Sequence, residues 1–393
     1  MTLAQRAPVV RPYVQADRPI KVALFSGNYN CVADGANQAL NRLVGHLVQS
    51  GFDVRIFSPT IATPAFAAQG TLISVPSIPI PTRSEYRVAL GIPRKILREL
   101  DAFAPDIIHV SAPDLLGRAA QNYAHKHRIK LVASLHTRFE TYFQFYGLGF
   151  IRTAIEGYLR RFYQRCNLVL APNPPMEDLL RADGVDANKI AIWSRGVDHQ
   201  LFNPERRSEE WRLAHGYNAS DPIVLFFGRL VREKGIVEFI ATIKRLRETF
   251  PNIRPLIVGD GPARDELVEG LSNIVMTGHL RGPALAQAIT SADILLNPST
   301  TEAFGNVNLE AMSAGLAVVS ANAPSSRLLI DNGHTGILCQ ADQPDDYVAA
   351  VADLIQHPEK RIALGRNARK ASEAYQWSHA LQSVADNYKK LIV

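Results

Sequence analysis

The chain alternates short apolar runs with longer stretches whose apolar residues recur every three or four positions, and it does so twice. Residues 21–26 (KVALFS) read as a short apolar strand, and after a loop residues 35–50 carry Leu40, Leu43, Val44 and Leu47 at helical spacing. That is a βα unit. Strand-like runs over 53–57, 106–110, 130–135 and 167–170, with helical patterns between most of them, predict a parallel sheet. The order restarts at Pro222, where PIVLFFG predicts a first strand, 235–250 a helix, and 254–258, 273–276, 293–296 and 317–320 further strands. The expected fold class is α/β, with two doubly wound, Rossmann-like domains facing one another. Ligands of such sheets bind beyond the carboxyl ends of the strands, so the interdomain cleft is the expected site. The junction is expected in the polar stretch 197–221, which has no sustained apolar period.

Length agrees with two domains: 393 residues exceed one ordinary core. With 47% hydrophobic and 20% charged residues the composition is that of a globular protein, neither fibrous nor disordered. Cys31, Cys166 and Cys339 lie far apart, match no metal-ligand spacing, and are expected as reduced thiols of a cytosolic chain. The first twenty residues hold Arg6, Arg11 and Arg18 but no apolar core of a secretory signal, and no later run is long enough to span a bilayer. A cytoplasmic protein, or one on the cytoplasmic face of a membrane, is expected. Charge is uneven: residues 1–200 hold 23 Lys+Arg against 15 Asp+Glu, the remainder 20 against 22, so the basic excess of +8 belongs to the first half. Such asymmetry suggests that this half faces something anionic.

The first βα turn, SGNYNCVADGAN, lacks the GxGxxG spacing of a dinucleotide site, and no GxxxxGK[ST] phosphate loop occurs. The most informative stretch is 299–320, STTEAFGNVNLEAMSAGLAVVS, in which Glu302 precedes a predicted helix and Glu310 lies inside it. A helix starting near Gly305 or Asn306 would aim its free N–H groups and dipole at an anion, and carboxylates on either side accept hydrogen bonds from vicinal diols. After the first strand of the second half, FFGRLVREKG puts Arg229 and Lys234 on a loop entering a helix.

The EAFGNVNLE run, followed by AMSAG and an apolar strand, resembles the E-x7-E motif of retaining glycosyltransferases of family 4, and GRLVREKG resembles that family's GR-x4-KG phosphate clamp. The resemblance extends over nearly the whole chain after Lys21 and implies the two-domain GT-B fold. It divides the chain into a tail (1–19), an acceptor-binding domain (20–200), a nucleotide-sugar-binding domain (201–376) and a last helix (377–393) returning to the first domain. It implies that Glu302 and the amides around Ala303, Phe304, Gly305 and Asn306 bind donor-sugar hydroxyls, and that Glu310 binds the ribose. Arg229 and Lys234 would neutralise the diphosphate as it departs. Gly35, in ADGAN, would lie close to the phosphates, and Gly259, Gly278 and His279 would hold base and ribose. His136 and Thr137 open HTRF-x2-Y, a string similar to one branch of the family. His136 would lie beside the reacting sugar carbon, positioning it and screening developing positive charge without acting as general base. The catalytic set so implied is His136, Arg229, Lys234 and Glu302, with Arg195 of WSRGVD at the hinge or the cleft. The family's same-face displacement implies no cofactor and no metal, and Asp345 and Asp346 of QPDDY are in the wrong place for a metal site.

For the acceptor, VPSIPIPTRSEYRVAL over 75–90 together with HTRF-x2-Y looks most like the branch of diacylglycerol sulfoquinovosyltransferases and lipid-directed mannosyl- and glucuronosyltransferases. Residues 149–165 carry Phe150, Ile151, Ile155, Leu159 and Phe162 beside Arg152, Arg160, Arg161 and Arg165, a basic amphipathic pattern suited to an anionic membrane surface or, equally, to a core helix with a solvated edge. Thr137, Arg138, Tyr142, Arg152, Arg160 and Arg161 are the expected acceptor or membrane residues. The expected activity is transfer of a hexose or hexuronic acid, from a UDP-sugar in the first instance, to a membrane lipid at the cytoplasmic face. GDP-mannose as donor and a soluble or polyprenyl-linked oligosaccharide as acceptor are the alternatives. A catalytically silent sugar-nucleotide sensor would have a damaged donor constellation, and Glu302, Glu310, Arg229 and Lys234 are all intact. A nucleic-acid partner is not expected, because no recognition motif accompanies the basic excess.

Overall fold

The computed structural model describes residues 18–32, 34–80, 83–136 and 152–393. It contains two parallel sheets. Strands β1 (Lys21–Phe25), β2 (Asp53–Ser58), β3 (Thr71–Ser74), β6 (Ile107–Val110), β7 (Lys130–Ser134), β8 (Leu168–Ala171) and β9 (Ile190–Ile192) form a seven-stranded sheet of order β3-β2-β1-β6-β7-β8-β9; β4 (Ile78–Ile80) and β5 (Arg83–Val88) form a separate antiparallel hairpin. Strands β10 (Ile223–Phe227), β11 (Arg254–Val258), β12 (Val275–Gly278), β13 (Ile294–Asn297), β14 (Ala317–Ala321) and β15 (Ile337–Cys339) form a six-stranded sheet of order β12-β11-β10-β13-β14-β15. In both sheets the order reverses beside the first strand, which is the doubly wound arrangement.

The strands form where the sequence offers continuous apolar runs, because helices cover both faces and leave no wet side. In β10 the successive residues Leu225 and Phe226 enter separate cores, Leu225 with Val258, Met312 and Val318, and Phe226 with Phe239, Ile257 and Val319. Two connecting helices of the first sheet start where a side chain satisfies a free N–H group. Asp34 caps Gly35–Gln49 by accepting from Asn37 N, and Asp114 caps Leu115–His127 by accepting from Gly117 N at 2.7 Å.

Contacts divide the chain into two compact units, one comprising Met1–Ser134, Cys166–Leu168 and Val384–Val393, the other Leu135–Arg165 and Val169–Ser383. The last helix, Trp377–Ile392, thus ends in the first unit, where Tyr388 Oη lies 2.7 Å from His109 Nδ1 and His109 Nε2 lies 3.0 Å from Ser134 Oγ. Burial drives the His109 pKa down to about 3, so this pair of bonds is made by a neutral ring.

Within the stretch 197–221, where the junction is expected, Val197, Phe202 and Tyr217 enter the core beneath the second sheet. Arg212, only 1% exposed, donates to the carbonyls of Ser291 and Asp221 at 3.0 and 2.7 Å and pairs with Asp293 at 3.3 Å. The strand expected over 273–276 is shifted to Val275–Gly278, because Asn273 takes a left-handed turn conformation with φ +49°. All three cysteines are buried and unbridged. No helix among the described residues is long and apolar enough to cross a membrane.

Candidate active site

The site is assembled at the carboxyl ends of β10, β11 and β13 from turns that only glycine permits. After β10 the chain turns at Gly228, which donates to Val258 O at 3.0 Å, and Leu230 donates to Asp260 O at 2.9 Å. These bonds lay the loop after β10 directly against the loop after β11. A Cβ at Gly259 (φ +143°) would sit 1.8 Å from the Gly228 carbonyl oxygen, and one at Gly261 2.4 Å from that of Leu230. Gly259 donates in turn to Gly278 O at 2.9 Å, so the glycines expected around base and ribose form one backbone seam. His279 is exposed beyond it, 3.0 Å from Arg281 Nε; partial burial and that guanidinium push its pKa down, against the pull of Asp260.

Arg229 is exposed on the loop after β10, and Lys234 follows in a short 3-10 turn ending at Gly235 (φ +80°). A side chain at Gly235 would strike Pro298 at 2.7 Å, so this turn rests against the end of β13. Thr301 Oγ1 donates to Glu233 O at 3.1 Å and closes the same gap. The result is an ion pair across 68 residues of sequence: Lys234 Nζ donates to Glu302 Oε1 at 2.6 Å, with the two side chains 14% and 16% exposed. Burial opposes ionisation of Glu302, but the ammonium, with help from Arg229, holds its carboxyl below the ordinary carboxylate range. Glu302 is therefore a carboxylate at neutral pH.

Glu302 precedes the helix and Glu310 lies in its second turn, as the spacing predicts. The helix is Asn306–Ser313, preceded by Gly305 at φ +96° with no side-chain cap. Its first N–H groups lack an intrahelical partner, and the dipole favours an anion or polarised hydroxyl there. The helix cannot rotate, because Asn308 is fully buried in a polar network: it accepts from Asn297 Nδ2 at 2.8 Å and donates to Ser320 and Ser326 at 3.1 and 3.3 Å. Nothing in the sequence pattern marked Asn308, since NVNLEAMS reads as an ordinary amphipathic turn. Glu310 is half-buried on this fixed frame. Glu310→Ala is expected to weaken affinity for a sugar nucleotide about tenfold to a hundredfold with little change in melting temperature, measurable by calorimetric titration.

His136 lies in the same compact unit, just past β7. Arg195 is 4% exposed, donates through one guanidinium nitrogen to Trp193 O at 3.0 Å, and approaches His136 Nδ1 at 2.8 Å with another. Arginine has no acceptor, so Nδ1 must accept and the ring proton must sit on Nε2. His136 is thereby a hydrogen-bond donor at Nε2, the opposite of what a general base requires. The ring also packs edge-on against Trp193, centroids 5.1 Å apart. Burial lowers the Arg195 pKa to about 10, still charged at neutral pH.

Of the other expected residues, Gly35 is the exposed first residue of its helix and belongs to the other compact unit. Thr137, Arg138 and Tyr142, with Phe150 and Ile151, lie outside the described residues. The helix Arg152–Gln164 departs from a wholly surface-bound apolar face: Phe162 is 1% exposed, and Ile155 and Leu159 are half-buried, whereas Arg160, Arg161 and Arg165 are exposed. It packs into the protein and leaves a basic edge outside. Asp345 pairs with Arg245, and Asp346 accepts from Gln340 N at 3.2 Å. No cluster of three or more His, Cys, Asp or Glu able to hold a metal occurs among the described residues.

Two doubly wound sheets, with a paired cation and carboxylate beside a helix start at the second, are the elements of the GT-B fold. The family described as Glycosyltransferase Family 4 matches residues 33–201, and that described as Glycosyl transferases group 1 matches residues 207–371. The chain belongs to glycosyltransferase family 4. It is 29% identical to sulfoquinovosyl transferase SQD2 of Arabidopsis thaliana, over 96% of this chain and 75% of that one. It is 28% identical to a GDP-mannose-dependent alpha-mannosyltransferase of Corynebacterium glutamicum (95% and 90%), and 23% identical to the alpha-monoglucosyldiacylglycerol synthase of Acholeplasma laidlawii (91% and 93%). Among solved structures, sucrose-phosphate synthase from Thermosynechococcus elongatus superposes with a TM-score of 0.77 at 20% identity, over 95% of this chain and 99% of that one.

Proposed function

We propose that this glycosyltransferase moves a hexose or hexuronic acid from a UDP-sugar to a diacylglycerol- or ceramide-type lipid at the cytoplasmic face of a membrane, with retention of configuration and without a metal ion. The observation that carries the donor half is the Lys234–Glu302 pair beside Arg229 and the start of helix Asn306–Ser313. In this reading Arg229 and Lys234 take the diphosphate, and Glu302 and the amides of Phe304, Gly305 and Asn306 take sugar hydroxyls. Glu310 takes the ribose, and Gly259, Gly278 and His279 border the base. Cations placed where the diphosphate leaves lower the barrier by meeting negative charge as it develops, which is how a metal-free site activates a leaving group. His136, held as an Nε2–H donor, orients the sugar.

The lipid half is supported by the relative named for glucosyldiacylglycerol synthesis and by the exposed arginine edge of Arg152–Gln164. The mannosyltransferase relative supports GDP-mannose as the second donor reading. A panel of UDP-glucose, UDP-galactose, UDP-glucuronate, UDP-sulfoquinovose and GDP-mannose, scored by binding and slow hydrolysis, is expected to yield one preferred donor; binding of none would overturn the donor site. Flotation with vesicles containing anionic lipid is expected to carry the protein, and to carry less of the Arg160→Glu/Arg161→Glu variant. Equal flotation of the two would remove these arginines from the membrane role.

A further inference from the structure

Asn173 follows β8, 3% exposed, and uses both ends of its amide. Oδ1 accepts from Met176 N at 3.1 Å and caps the helix Pro174–Ala182, while Nδ2 donates to Ala303 O at 2.6 Å. The capping bond needs an acceptor and the second bond needs a donor, so together they fix which end of the amide faces Ala303. Both partners belong to one compact unit, though 130 residues separate them.

The second bond grips the loop between Glu302 and the helix start. In a trans peptide the C=O and the following N–H point in opposite directions. Holding the Ala303 carbonyl towards Asn173 therefore turns the Phe304 N–H away from it. The Phe304 ring is buried and meets Tyr375 edge-on, centroids 6.1 Å apart, so the loop is tied at a backbone oxygen and at the next side chain. Gly305 follows at φ +96°, a conformation that leaves the chain free to turn sharply but does not choose which way the preceding amide faces.

We propose that Asn173 is a positioning residue for the donor: it sets the plane of the Ala303–Phe304 peptide so that the Phe304 N–H meets a hydroxyl of the transferred sugar. This rests on the reading of the loop 302–306 as the sugar subsite. Asn173 touches neither sugar nor diphosphate, and it acts on the sugar through a peptide plane contributed from the other end of the chain.

Two substitutions separate this role from capping. Aspartate and serine cap helices about as well as asparagine, but aspartate cannot donate to a carbonyl and serine is too short to reach one that asparagine meets at its terminal nitrogen. Asn173→Asp and Asn173→Ser are compared with wild type for melting temperature, for affinity to UDP and GDP alone, and for KM and kcat with the preferred sugar nucleotide. Asn173→Ser is expected to melt near wild type and Asn173→Asp below it, because a carboxylate oxygen then faces the Ala303 carbonyl; both are expected to bind the free nucleoside diphosphate unchanged, while kcat/KM for the sugar nucleotide falls about tenfold, the weight of one lost hydrogen bond made by a now unheld amide. Wild-type kinetics in both would overturn the proposal and leave Asn173 as a cap. Equal loss of nucleoside diphosphate and sugar nucleotide would also overturn it, since the damage would then extend beyond the sugar. If wild type itself binds no sugar nucleotide, it is the donor reading that fails.

Discussion

Lys234→Ala is expected to lower turnover by about two to three orders of magnitude, the cost usually found when a donor aimed at developing negative charge is removed. Two effects combine. On the proposed reading the departing diphosphate loses a cation, and Glu302, still largely buried, loses the ammonium that kept it ionised. In the wild-type protein the Glu302 pKa is depressed, so the pair's contribution is complete above the ordinary carboxylate range and is lost only as pH falls through the lower folded value. In the variant burial acts with less opposition, so the carboxyl rises and a protonation step enters the pH profile of donor binding. The double variant Lys234→Ala/Glu302→Gln reads the second effect through stability: removing the stranded carboxylate should recover melting temperature. Steady-state kinetics at saturating donor is the measurement, and turnover within a fewfold of wild type would show that Lys234 does not meet the leaving group.

Arg212→Ala is the second large effect, and it concerns folding. The guanidinium is buried against Ser291, Asp293 and Asp221, tying the stretch ahead of β10 to the segment that leads into β13. Its removal leaves Asp293, 9% exposed, with only the half-exposed Arg207 as a cationic partner among the described residues, at 3.1 Å, and opens a cavity where the side chain lay. Breaking a buried pair from one side costs about 3–5 kcal/mol. Denaturant unfolding should register most of that loss. Arg212→Met, which keeps the volume and removes the charge, should lose less of the packing and as much of the pairing. A loss below about 1 kcal/mol in the alanine variant would mean that the stretch is held chiefly by the packing of Val197, Phe202 and Tyr217.

The strands covered on both faces were legible because their apolar runs are continuous: β1, β2, β6, β7, β10, β11 and β14 lie within a residue or so of where the hydrophobic pattern puts them. The helix entry at Gly305 and the placement of Glu302 before it and Glu310 within it were also readable, since spacing along a helix is a local property. What escaped was set by tertiary context. β3 is a four-residue edge strand with exposed ends, β4 contains Pro79, and β9 and β15 are three residues long, too short for a period to show. Arg212 and Asn308 are polar residues whose partners arrive from distant strands, so their burial leaves no trace in local pattern. Phe162 was read as equally suited to lipid or core, and only packing decided between them. Asn173 could be read as a helix cap before Pro174, but its second bond, to a carbonyl 130 residues away, has no sequence signature.

The loops after β10 and β11 share a backbone seam: Gly228 donates to Val258 O, Leu230 to Asp260 O, and Ala263 back to Leu230 O, with no room for a Cβ at Gly259 or Gly261. Such a seam makes the two loops one casting. Anyone randomising one of them would be pouring into a mould whose other half is fixed. Productive variants should therefore come from exchanging both loops together from a single homologous parent, and single-loop libraries should yield mostly chains that fold poorly.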